Sequence, residues 1–223
     1  MKYSPGSEPC PLPFSPFKSC TVPRPIGWLS SRSADGVDNI APYSQWNNLT
    51  FDPPMVMFAA NRYPDGRRKD TVLNAEATGL FVWNMATYAL RDAVNRSAMA
   101  LGPGESEFDR IDVTRIRTER GGVPMVKESP CRFECRYLST HTQRGGSPMA
   151  TVDVVFAQVE TIHVDDDVIL EDGRLDIARI QPIARLGYFD YAVVRETFEM
   201  RVPGSDGDAQ AALEGRAATS GRD

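Results

Sequence analysis

Along residues 26–31, Ile26, Trp28 and Ser30 alternate with Gly27, Leu29 and Ser31, the two-residue period of a β-strand. Asp35-Gly36 is a strong hairpin-turn signal, so residues 37–44 are expected to return antiparallel. After Asp52-Pro53-Pro54 the short apolar run MVMFAA has strand length, and Pro64-Asp65-Gly66 marks a tight loop. The period then changes. DTVLNAEATG reads as a short helix, with Asp70 as its N-cap and Gly79 just past its end. LFVWNMA reads as a strand, and Thr87 is expected to cap a second helix, YALRDAVNRSAMAL, which Gly102-Pro103-Gly104 ends. Residues 105–130 are polar and irregular, with one helical turn expected around Phe108 to Val113.

Two longer β patterns follow, CRFECRYLST and ATVDVVFAQVETIHV. In the second, Val152, Val154 and Phe156 alternate with Thr151, Asp153 and Val155, which suits a barrel wall with one polar face. RIQPIARLGYFDYAVV leads by a short turn or helix into a last ordered segment ending near Val202. Many short strands with helical insertions predict a mainly β fold, a barrel with helical trimmings. The domain divisions expected are a proline-rich extended arm over 1–22 that packs late or on a partner, a domain over 23–202, and a disordered tail over 203–223.

A hydrophobic fraction of 41% and a charged fraction of 25% over 223 residues describe an ordinary soluble globular protein able to bury a core. A net charge of −5 without a dominant basic run argues against a nucleic-acid binder, since Arg67-Arg68-Lys69 is too short to track a phosphate backbone. No apolar run reaches the roughly 18 residues a membrane span needs, and the N-terminus lacks the apolar core of a secretory signal. Cys10, Cys20, Cys131 and Cys135 form no CxxC pair, and His141 and His163 are not at metal-ligand spacing. Reduced thiols in the cytoplasm are the expectation.

Residues 23–54 hold no histidine or cysteine, yet they are dense in Ser30, Ser31, Asn39, Ser44, Gln45, Asn47, Asn48 and Thr50, set among Trp28, Tyr43 and Trp46. Hydrogen-bonding groups without a catalyst suggest that the reactive atoms come from a bound cofactor. Nucleophilic catalysis lacks a G-x-S-x-G elbow, and HVDDDVILEDG does not fit a calcium loop. Neither G-x-G-x-x-G after a strand nor a Walker A motif occurs, so a Rossmann-type dinucleotide site is unexpected. In AANRYPDGRRKDTVLN, Arg62, Arg67, Arg68 and Lys69 stand at the mouth of a helix whose first N–H groups are unpaired, with the Thr71 hydroxyl beside them. That is the chemistry of a monophosphate pocket; a solvated basic loop with an Asp cap is the other reading.

The run PRPIGWLSS, DG, NIAPYS and DPP, followed by RKDT, an asparagine and FVWN, resembles the flavin reductase-like, FMN-binding split-barrel family, which includes flavoredoxin-like proteins. ECRY, DGRLD and ARLGYFDYAVV extend the resemblance, which covers roughly residues 14–202. It implies a six-stranded Greek-key split barrel with helices around it, and a homodimer with FMN near the subunit interface. By position, the resemblance puts Ser30 and Ser31 near the flavin or its ribityl chain. It puts Ser44, Gln45, Asn47, Asn48 and Leu49 along the isoalloxazine ring, Ala60, Asn61 and Arg62 towards the phosphate, and Lys69, Asp70 and Thr71 at the phosphate end. It further implies NADH or NADPH as electron donor and a monooxygenase or other acceptor downstream, with no protein acid or base as catalyst. One departure stands out: reductases of this kind carry an Asp-His-Thr run on a late strand, associated with nicotinamide binding, and ATVDVVFAQV here has no histidine. A tightly FMN-bound electron carrier without direct nicotinamide oxidation is therefore the alternative.

Overall fold

A computed structural model describes residues 1–102 and 104–200, with the single positions 203 and 215. Val202 and nearly all of the expected tail lie outside the described residues. The strands are β1 (Arg24–Pro25), β2 (Gly27–Arg32), β3 (Asp38–Tyr43), β4 (Trp46–Phe51), β5 (Pro54–Asn61), β6 (Leu80–Met85), β7 (Arg115–Arg117), β8 (Pro124–Val126), β9 (Cys131–Gln143), β10 (Val152–Val164), β11 (Ile183–Gly187) and β12 (Asp190–Val193). The helices are α1 (Asp70–Thr78), α2 (Arg91–Arg96) and α3 (Ile177–Ile180).

Seven strands form one antiparallel sheet in the order β3-β2-β6-β9-β10-β5-β4. Its two outermost strands, β3 and β4, are consecutive in the chain, separated only by Ser44 and Gln45. The Gln45 carbonyl accepts from the Ala59 N–H of β5 at 2.8 Å. That bond carries the β4–β5 ladder back to the corner where β3 turns into β4, so the two outermost strands meet through the chain itself, each keeping one ladder partner. The β2–β3 and β4–β5 hairpins lie on opposite sides of the closure, and α1 carries the chain from β5 across to β6. This is a mainly β, Greek-key split barrel with helical insertions. No helix among the described residues is long and apolar enough to cross a membrane.

Every predicted strand has a counterpart, and the alternation in β2 has a clear physical meaning. Leu29 enters the barrel interior with Phe58, Phe81, Trp83 and Val155. Ile26 and Trp28 enter a second cluster between the barrel wall and an outer layer, with Ile40, Val94, Phe108 and Val126. Both faces are buried, so the strand carries no solvent face. Gly27 is required by close packing, because a Cβ there would lie 2.9 Å from Trp46 Cβ. Trp46 in turn stacks on Trp83 with ring centroids 5.6 Å apart.

Three expectations are corrected. The first helix begins one residue earlier than a capping Asp70 requires: Lys69 holds the extended N-cap position and Asp70 is the first helical residue. A carboxylate is favourable there too, through the helix dipole rather than a capping bond. Gly79 ends the helix in the left-handed region, φ 76°, as its lack of a Cβ allows. The second helix is much shorter than its pattern suggests. Thr87 is held in a β-bridge to Pro182 by the hydrogen bonds Ile183 N–H to Ala86 O and Tyr88 N–H to Gln181 O, and a turn follows, so α2 starts only at Arg91. At its other end the Ser97 hydroxyl donates back to Val94 O and accepts from the Trp28 indole at 2.8 Å.

The third correction concerns β10. The side bearing Asp153, Val155, Ala157 and Val159 is the buried one, while Val154 and Phe156 are half-exposed. An acid can point inward here because Arg62 and Arg68 meet it there. Cys131 and Cys135 both lie on β9 in the barrel core, and all four cysteines are free thiols.

Candidate functional site

Strand β5 ends at Asn61, and the loop to α1 turns at Gly66, whose N–H donates to Tyr63 O at 2.9 Å. The loop's arginines are already engaged. Arg62 pairs with Asp153 through two hydrogen bonds, Nε to Oδ2 at 3.2 Å and Nη2 to Oδ1 at 3.0 Å. Arg68 donates to the same Asp153 Oδ2 at 3.1 Å and, through both terminal nitrogens, to the Glu76 carboxylate at 2.7 and 2.6 Å. Thr142 completes the shell of Asp153 at 2.6 Å. Burial pushes the Asp153 carboxyl up, but the hydrogen bonds from Arg62, Thr142 and Arg68 outweigh it and hold its pKa below the usual carboxylate value. Arg67 bonds the exposed Asp65.

Lys69 differs from all three arginines. It makes no ion pair with any described residue, and its Nζ lies 3.4 Å from the centre of the Tyr63 ring. Burial pushes its pKa down, only partly offset by the neighbouring Asp70. Beside it, the backbone N–H groups of Asp70 and Thr71 open the helix without an acceptor among the described residues. Half-buried charge and unpaired N–H groups converge on one cleft of about 110 Å³, walled by Asn39, Pro42, Tyr43, Tyr63 and Glu107.

The side chains under this cleft form a closed hydrogen-bond chain. Tyr43 OH donates to Thr71 Oγ1 at 3.0 Å, and Thr71 donates to Asn39 Oδ1 at 2.8 Å. Asn39 Nδ2 donates to Glu107 Oε2 at 2.9 Å, which also accepts from the Ile40 N–H at 3.2 Å. The Thr71 hydroxyl is therefore committed in both directions, and what it offers a ligand is its N–H. Glu107, 6% exposed, has its pKa raised by burial, against the lowering effect of these donors.

A pH dependence follows from Glu107. Its native carboxyl holds a proton more strongly than the unfolded one, so the native state binds more protons just above pH 4.5 and stability falls as pH rises through that window. Glu107→Gln is expected to remove this component. Urea unfolding of both proteins between pH 4.5 and 8 should show a stability difference that shifts in favour of the variant as pH rises. A pH-independent difference would contradict it.

A second cleft of about 480 Å³ adjoins the first, with Pro42 and Ala98 in the walls of both. Ser44 lies in its wall, together with residues of the N-terminal arm and of β11 and β12. Its size is within the roughly 300–1,000 Å³ typical of small-molecule sites.

The predicted residues are distributed unevenly. Lys69, Asp70 and Thr71 share the first cleft, and Ser44 borders the second. Gln45 is half-buried at the barrel corner, while Asn47, Asn48 and Leu49 are exposed on β4. Ala60 is buried in the barrel core, and Asn61 is exposed with its Nδ2 donating to Met149 O. Ser30 and Ser31 are fully buried. Ser30 Oγ donates to Pro124 O at 2.5 Å and accepts from Asn84; Ser31 Oγ donates to Asn39 and accepts from Asn74. These two serines brace β2 against β8, β6, β3 and α1.

Sequence reasoning did not find Tyr63, Glu107 or Asp153. The lone acid inside an apolar strand pattern was the available signal for Asp153; Glu107 sits in an irregular stretch that carries none.

Fold and site together define a split-barrel protein in which an unpaired lysine and a helix start face a cleft. The chain belongs to the flavin reductase like domain family, whose model matches residues 19–191. A protein of Halalkalibacterium halodurans is 34% identical over 205 residues, covering 91% of this chain and 97% of that protein. Among solved structures, nitrilotriacetate monooxygenase component B from Bacillus cereus is 31% identical with a TM-score of 0.81, over 90% of this chain and 98% of that one. Flavoredoxin of Desulfovibrio vulgaris (Miyazaki F) shares the fold at 18% identity, with a TM-score of 0.70 over 92% and 99% of the two chains. Family membership makes this chain a flavin oxidoreductase by class.

Proposed function

We propose that this chain binds FMN and acts as an NAD(P)H-dependent flavin reductase. The observation that carries the reading is Lys69: a half-buried cation without an acidic partner among the described residues, next to two unpaired N–H groups at the start of α1. A flavin's 5′-phosphate fits that donor set, with Lys69 and the N–H groups of Asp70 and Thr71 as its holders. From there the adjoining cleft leads to Ser44 and, along β4, towards Asn47, Asn48 and Leu49. When bound, the flavin supplies the two-electron chemistry by accepting hydride at N5. The protein's part is to grip the phosphate, present small polar groups to the ring edge and leave one ring face open; no side-chain acid or base is required in line.

A half-exposed apolar strip on the outer barrel wall, Met55 and Met57 of β5 beside Val154 and Phe156 of β10, supports a homodimer through this face. The similarity to component B of a monooxygenase favours a monooxygenase as the acceptor.

A tightly held FMN reduced by a protein donor is the second reading, favoured by the absence of histidine from residues 151–159. Anaerobic mixing decides between the two. With FMN bound, NADH or NADPH should bleach the flavin absorbance in the visible. Full retention of oxidised FMN in the presence of both nicotinamides would leave the electron-carrier reading in its place.

A further inference from the structure

The two clefts differ sharply in charge. Around the α1 cleft, Lys69 faces Asp70 and Glu107. The larger cleft is lined by three cations, Lys18, Arg24 and Arg185, and by no carboxylate among the described residues. A ligand bearing more than one negative charge meets the more favourable field there. Two residues of its wall carry unpaired polar atoms, Ser19 Oγ and Arg24 Nε, which are sealed from solvent without a hydrogen-bond partner among the described residues and which a ligand reaches only if the wall shifts. Arg24 uses its Nη1 to bond the carbonyls of Lys18 and Thr21, which ties the N-terminal arm down and leaves Nε spare.

The opposite wall is the β11–β12 hairpin. Gly187 there has φ 121° and no room for a Cβ, which would lie 2.2 Å from Ser19 Oγ, so arm and hairpin meet in direct contact. Tyr188 and Tyr191 give this wall aromatic faces, and the Arg185 guanidinium lies 4.6 Å from the centre of the Tyr191 ring. Because Pro42 and Ala98 belong to both clefts, a ligand seated here is within reach of a ring held against Ser44.

We propose that the cleft between the N-terminal arm and the β11–β12 hairpin is a second anion subsite, which receives the pyrophosphate of a nicotinamide dinucleotide while its nicotinamide reaches the flavin. This rests on the flavin reading above and extends it to the donor. It makes the arm, outside most of the family match, a working part of the site.

The test is calorimetric titration of the FMN-loaded protein with NAD⁺, which binds without turnover, and with nicotinamide riboside, which lacks the pyrophosphate. The variants are Lys18→Ala and Arg185→Gln. The Lys18 side chain is exposed and makes no ion pair with any described residue, so its removal leaves the fold intact. Loss of a charge-assisted contact should weaken NAD⁺ binding on the order of tenfold in each variant. Nicotinamide riboside should bind all three proteins alike, and added salt should narrow the gap for NAD⁺. Unchanged NAD⁺ affinity in both variants overturns the proposal. So does loss of the preference for FMN over riboflavin in Lys18→Ala, since the cleft would then hold the flavin's own phosphate. A wild-type protein that binds FMN no better than riboflavin overturns the flavin reading first, and this proposal with it.

Discussion

Lys69→Ala should weaken FMN binding roughly tenfold to a hundredfold, the equivalent of one hydrogen bond to a charged group at about 1.5–3 kcal/mol. Riboflavin, which has no phosphate, should bind wild type and variant nearly alike. The contrast between ligands is the informative part. Lys69 has no carboxylate partner to leave behind among the described residues, and its Nζ packs on the Tyr63 ring alone. Its removal therefore strands no buried charge, and the native state has no strong reason to loosen. The lysine is also partly desolvated, which pushes its pKa down. A bound phosphate would reverse that cost by supplying the missing counter-charge. Fluorescence titration with both flavins measures the two affinities; an equal loss for FMN and riboflavin would show that Lys69 supports the fold rather than the phosphate.

Asp153→Ala should have the largest effect on stability, about 3 kcal/mol, at the lower end of what removing one partner of a buried ion pair costs. The carboxylate is 1% exposed and satisfies Arg62, Arg68 and Thr142 at once. The lower end applies because both arginines are about 25% exposed and can regain water. For a domain of this size the midpoint of thermal unfolding should drop by about 6–12 °C. A pH signature separates charge from packing. The native pKa of Asp153 is depressed, so its contribution is fully present above the usual value of 3.8 and is lost as pH falls through the native pKa below it. The variant should accordingly lose less stability than wild type over that acid range. A midpoint within 2 °C of wild type at neutral pH would mean that the three partners repair the site without Asp153.

The β-architecture is largely legible in the linear order of residues. Alternation in Ile26–Ser31, the Asp35-Gly36 turn and the apolar run before Asn61 each report a local backbone preference, and barrel strands obey local preference closely. The helical stretch 88–101 misleads for the opposite reason. Its composition favours helix, but the pairing of residues 86–88 with 181–183 comes from far along the chain and leaves residues 88–90 in a bend and turn rather than a helix. The outward-facing Val154 and Phe156 mislead likewise, because no short window shows that two arginines stand ready to meet Asp153.

At the candidate site, the basic loop before α1 stands out as a cluster of four cations, but sequence alone does not rank them. Pairing in the folded chain does: Arg62 turns to Asp153, Arg68 to Asp153 and Glu76, Arg67 to Asp65, and Lys69 remains to face the cleft. Ser30 and Ser31 look identical to ligand-binding serines in a linear reading, yet the barrel core covers one face of β2 and an outer layer the other, which turns their hydroxyls into internal braces. Residue order by itself determined the strands, the first helix and the family, because those depend on neighbours a few positions apart. Only the tertiary structure decided which charges are spent and which are free, because Asp153, which takes up Arg62 and shares Arg68 with Glu76, is brought to them by the barrel from 91 and 85 positions away.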